Sequence, residues 1–159
     1  MKFKAIASLA AASALFVAAC GGGGSKPAAP GALVNGSDTA GLGSIVVGPN
    51  GRTLYVFLKD TGPKSTCSGA CAAEWPPLTT SGKLTTSGGV SSSALKAVRR
   101  SDGKMQVTFN GHPLYYFSGD SAPGDAKGQG LNTYGARWYA VSPSGKQVTD
   151  TGTEPPSHY

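Results

Sequence analysis

The chain has 159 residues, 24 of them Gly and 11 Pro, with 14 % charged side chains and a formal net charge of +6. So small a chain supports one modest core, and a single domain is expected. Its basic residues are scattered, Arg99-Arg100 being the one adjacent pair, whereas nucleic-acid binding calls for a clustered stripe with interleaved aromatics; nucleic acid is excluded as a partner.

In chain order, Lys2 and Lys4 precede an almost unbroken apolar run that stops at Cys20. That layout predicts a signal peptide over residues 1–19. The run is shorter than the roughly 20 residues that span a bilayer, which excludes a transmembrane helix there. Val17, Ala18 and Ala19 are small enough to enter the lipoprotein peptidase site, and Cys20 supplies the thiol that takes up diacylglycerol. Cys20 is therefore the expected lipidation site, and the membrane, through this N-terminal lipid, the expected first partner. Residues 20–31 read as the lipidated cysteine and a Gly-rich tether, reaching roughly 17 Å root-mean-square over ten residues. Setting aside Lys2 and Lys4, 12 Lys or Arg face 8 Asp or Glu, about +4 net. The expected location is the cell envelope: the outer membrane or periplasmic face in a Gram-negative host, the cell surface otherwise.

Residues 32–149 form the expected domain. Ala32–Asn35 suggests an edge strand. GRTLYVFLKD at 51–60 recurs as GHPLYYFSGD at 111–120, and over twenty positions at an offset of 60 there are eight identities. This is an internal repeat, with repeat 1 at about 41–78 and repeat 2 at about 101–141. Asn50-Gly51 and Asn110-Gly111 each predict a two-residue type I′ turn. Val47 would then face Leu54, Val107 would face Leu114 and Met105 would face Tyr116. Alternation sends Tyr55, Phe57, Tyr115 and Phe117 to the opposite face. A short helix is expected near 67–74, capped by Ser65 or Thr66 and ended by Pro76-Pro77. Asp102-Gly103 and residues 143–145 signal further turns, the Ser/Thr/Gly-rich stretch 79–94 reads as a connecting loop, and 150–159 reads as a disordered tail. The fold class is mainly β: two related β-hairpin repeat units in one small antiparallel domain with at most one short helix.

The motif Tyr-x-(Phe/Trp/Tyr)-x-x-Asp occurs as Tyr55, Phe57 and Asp60 and again as Tyr115, Phe117 and Asp120. With GRTLYVF, STCSGACAAEWPPL, GHPLYYF and the stretch from Gly124 to Tyr139, roughly residues 40–145 resemble the bacterial and archaeal secreted-repeat lipoproteins named for that motif. The resemblance implies an envelope lipoprotein with paired repeats, in a family whose molecular function is not established.

Three groups are candidates for chemistry. With Cys20 lipidated, Cys67 and Cys71 remain, and an oxidising compartment favours a disulfide between them. A redox or copper-binding pair is the alternative, and Ala72 in place of histidine after Cys71 excludes covalent haem. Asp60 and Asp120 either fix loops by accepting N–H or tyrosine O–H bonds, or form pseudo-symmetric sites Tyr55/Asp60 and Tyr115/Asp120 for a cation or polar ligand. Tyr55, Phe57, Trp75, Tyr115, Phe117 and Trp138 form either a covered second apolar layer or an open aromatic binding face. His112 after a turn and His158 near the terminus are poorly placed for a triad, and the glycine-rich 124–130 lacks a phosphate-loop ending. No catalytic residue, metal or cofactor is expected. The functional expectation is a non-enzymatic binding or structural module for an envelope protein or small ligand, the alternative being a redox or electron-transfer accessory that uses Cys67/Cys71 or the aromatic ladder.

Overall fold

The computed structural model describes residues 31–149; the expected signal peptide, Cys20, the tether up to Pro30, and the tail from 150 with His158 lie outside the described residues. The strands are β1 (Ala32–Thr39), β2 (Gly43–Val47), β3 (Tyr55–Phe57), β4 (Leu84–Ser87), β5 (Leu95–Arg99), β6 (Met105–Phe109), β7 (His112–Pro113), β8 (Asn132–Thr133) and β9 (Ala136–Ala140). A helix, α1 (Ala70–Glu74), follows β3, and a 3-10 turn at Ser92–Ala94 precedes β5. The sheets run β2-β1-β4, β3-β9-β8 and β5-β6-β7, and the chain is mainly β, as its patterning predicts.

A proline separates the two Asn-Gly hairpins. In repeat 2, Asn110 (φ 47°) and Gly111 (φ 81°) make the expected two-residue turn, with Phe109 opposite His112. In repeat 1 the position equivalent to Phe109 is Pro49, whose ring holds φ near about −65° and favours the second place of a type I turn. The loop therefore lengthens to residues 49–51: Gly48 N–H donates to Arg52 O at 2.9 Å, and of the Asn-Gly pair only Gly51 takes positive φ, at 74°. Lengthening shifts the register by one. Val47 lies opposite Thr53 rather than Leu54, and Val46 O accepts from Leu54 N–H at 3.0 Å. The Val107–Leu114 pair forms as expected, but Met105 does not face Tyr116. Beyond Leu114, β6 takes a new neighbour, with Val107 N–H donating to Leu78 O and Thr80 N–H to Met105 O.

Three local expectations change. β1 is no edge strand: it runs to Thr39 and lies between antiparallel β2 and parallel β4. Residues 79–94 are not loop throughout, since Leu84–Ser87 pairs with Ala32–Asn35. α1 is capped by Gly69, at φ 56°, without a side-chain hydrogen bond from Ser65 or Thr66.

Alternation along the hairpins makes two apolar layers. One is largely aliphatic and includes Val34, Val46, Leu54, Val56, Val107 and Leu114, with Phe109 among them. The other holds Ile45 and Val47 with Tyr55, Phe57, Cys67, Trp75, Tyr115 and Trp138. The motif tyrosines and Phe57 thus face away from Leu54 and Val56, as expected.

Candidate functional site

Where the repeats meet, Tyr55 N–H donates to Tyr115 O at 2.8 Å and Tyr115 N–H to Tyr55 O at 2.9 Å. Residues 60 apart in the repeat are thus direct partners, and a local twofold axis passes between them. Around this axis the motif side chains are exchanged. Tyr55 Oη donates to Asp120 Oδ2 at 2.7 Å and Tyr115 Oη to Asp60 Oδ2 at 2.5 Å. The pairs expected within each repeat, Tyr55/Asp60 and Tyr115/Asp120, are therefore replaced by pairs across it. Each remaining carboxylate oxygen holds its own loop. Asp60 Oδ1 accepts from Thr66 N–H and Thr66 Oγ1, both at 2.7 Å, and Asp120 Oδ1 accepts from Lys127 N–H at 2.8 Å.

The rings follow the same symmetry. Trp75 and Trp138 stack at 3.9 Å with planes 4° apart, Phe57 stacks on Trp138 at 4.0 Å, and Phe117 lies against Trp75 at 4.5 Å. Each tryptophan therefore packs on the phenylalanine of the other repeat, while Tyr55 and Tyr115 meet their own repeat's tryptophan edge-on. Both indoles are fully buried and donate to Thr133, Trp75 to its Oγ1 and Trp138 to its carbonyl. The ladder is a covered layer. The glycine-rich 124–130 helps cover it: a Cβ at Gly128 would lie 2.8 Å from the Trp75 ring and 2.9 Å from Tyr55.

Burial foremost, then the bond to Asp120, pushes the Tyr55 hydroxyl pKa far above its ordinary value, and burial followed by the bond to Asp60 does the same to Tyr115. Burial also raises Asp120, against the opposing pull of its bonds from Tyr55 and Lys127. Both phenols stay protonated in the fold above the pH, about 10, at which the unfolded chain releases them. The stability they contribute is whole below that pH and declines above it, by up to about 1.4 kcal/mol per pH unit for each tyrosine. Tyr55→Phe or Tyr115→Phe should remove one such share of the slope in denaturant melts taken from pH 9.5 to 11.

Cys67 and Cys71 form a disulfide across one turn, with Cα atoms 5.3 Å apart, and both are buried. Beside it runs a polar network that sequence reading missed. Arg100, 8 % exposed, donates to Cys67 O at 2.9 Å, Ser65 Oγ at 2.8 Å and Gln106 Oε1 at 2.6 Å. The Tyr115 hydroxyl lies 2.6 Å from Ser65 Oγ, which links this network to Asp60. The adjacent Arg99 is exposed, and alternation past the partly buried Val98 was the available signal for the difference. Exposed His112 borders a groove of about 470 Å³ with Leu58 and Lys146. Among the described residues no three His, Cys, Asp or Glu side chains gather as a metal site.

Fold and site together define an intramolecular pair of hairpin repeats, interlocked by exchange of their tyrosine, aromatic and aspartate side chains. The secreted-repeat family of unknown function matches the chain at residues 36–79 and 96–142, more than half its length, and the chain belongs to that family. Comparison with curated proteins gives no match, and neither does comparison with solved structures.

Proposed function

We propose that the protein is an envelope lipoprotein, anchored through lipid on Cys20, whose repeat domain is a non-enzymatic binding or structural module. The observation that carries the modular reading is the engagement of both motif tyrosines and aspartates with each other across the repeats. Side chains held in this way serve the scaffold, and recognition falls to the outer surface. The envelope reading draws on the lipoprotein layout that ends at Cys20 and on a family described as secreted. A disulfide between Cys67 and Cys71 suits the same oxidising location.

Labelling of cells with radioactive palmitate, followed by fractionation, tests the anchor. The wild-type chain should carry label and remain with membranes, and Cys20→Ala should carry none. An unlabelled wild-type chain in the soluble fraction would contradict the reading.

A further inference from the structure

The first described residue, Gly31, marks the end of the domain that the tether enters. A Cβ on Gly31 would strike the Lys83 carbonyl, and Gly31 shares a surface groove with Thr79, Gly103 and Lys104. The β5–β6 turn continues this end: Arg99 Nη1 donates to Gly103 O at 3.1 Å, and Arg99 borders a second groove with Lys64. Lys64, Lys83, Arg99 and Lys104 are all exposed. The acid among them, Asp102, is engaged by Arg100 Nε at 3.3 Å and by Lys104 N–H at 3.1 Å, so the local charge is strongly positive. At the other end of β1, roughly 26 Å away for an eight-residue strand, the character changes. Asp38 is exposed near that end, and the turn at 40–42 borders a groove with the ion pair of Asp125 and Lys127.

The domain thus gathers four exposed cations, Lys64, Lys83, Arg99 and Lys104, where its tether enters, while Lys59, Lys96, Arg137 and Lys146 are exposed outside these two grooves. We propose that this end rests on the anionic phospholipid headgroups of the membrane that anchors the chain. The inference depends on the proposed lipid anchor and adds an orientation to it: the basic end against lipid and the Asp38 end outward. Contact is needed because the Debye length at physiological salt is only about 8 Å. Each Lys or Arg at an anionic surface favours contact by roughly fivefold.

The test uses the native acylated protein in vesicles of pure phosphatidylcholine and of phosphatidylcholine with 30 % phosphatidylglycerol, acetylated briefly and mapped by mass spectrometry. Lys83 and Lys104 should react at least threefold more slowly on the anionic vesicles and Lys127 equally on both, with the difference lost in 0.5 M NaCl. The double variant Lys83→Glu/Lys104→Glu, two exposed positions, should keep its melting temperature and lose the lipid-dependent protection of Lys64. Equal reactivity of Lys83 and Lys104 on both vesicles, with the protein retained on each, would overturn the orientation alone. Failure of the protein to stay on phosphatidylcholine vesicles would instead overturn the anchor, and the orientation with it.

Discussion

Trp138→Ala is expected to destabilise the domain by about 4 kcal/mol, within the range for emptying a large buried aromatic site. The indole is fully buried, stacked between Phe57 and Trp75 and edge-on to Tyr115, and its Nε1 donates to Thr133 O. Contacts from both repeats end on this one ring, so its loss loosens the junction and not merely one hairpin. Local collapse is restricted because the neighbouring rings are held by strand pairing, as with Tyr55 opposite Ala140 and Phe57 opposite Trp138 in β3 and β9. Urea melts followed by far-UV circular dichroism provide the measurement. A change below about 1 kcal/mol would mean that the ladder is not part of the core.

Asp60→Ala comes next, at about 3 kcal/mol. Its carboxylate is 1 % exposed and accepts from Thr66 N–H, Thr66 Oγ1 and Tyr115 Oη. Removing it leaves the buried Tyr115 hydroxyl with Ser65 Oγ as its remaining partner and turns the exposed Thr66 donors to solvent, and hydrogen bonds to a charged group contribute about 1.5–3 kcal/mol each, less whatever water recovers. Asp120→Ala should be milder, because Asp120 accepts from Tyr55 Oη and Lys127 N–H while its loop retains Asp125, which accepts from Ser121 N–H and pairs with Lys127 Nζ. The same urea melts rank the two variants, and a larger loss for Asp120→Ala would contradict the difference in their partners.

The hairpins, the opposite facing of Leu54 and Tyr55 and the pairing of Val107 with Leu114 were legible because strand alternation and Asn-Gly turns are local signals. The register of repeat 1 was legible too, given attention to Pro49: a ring-locked φ one residue before Asn50 changes the turn, and every cross-strand pair moves with it. The parallel pairing of β4 with β1 left no such mark. Leu84–Ser87 sits in a Ser/Thr/Gly stretch and becomes a strand through the hydrogen bonds β1 offers it. The hairpin of β8 and β9 also escaped notice, because its turn places Tyr134 at φ 57°, a conformation rare for that residue, beside Gly135. At the site, motif and repeat named the residues but not their partners. A tyrosine five positions before an aspartate invites a pairing within the repeat, and only the tertiary meeting of Tyr55 with Tyr115 shows that the partners are exchanged.

That exchange is most directly tested by double-mutant cycles on unfolding free energy, with Tyr→Phe and Asp→Asn substitutions in all four combinations. Tyr55 with Asp120 and Tyr115 with Asp60 should each show a coupling of about 1.5–3 kcal/mol, as expected for buried bonds to a carboxylate. Tyr55 with Asp60 and Tyr115 with Asp120 should be additive to within about 0.5 kcal/mol. Strong coupling within the repeats and additivity across them would contradict the interlocked arrangement.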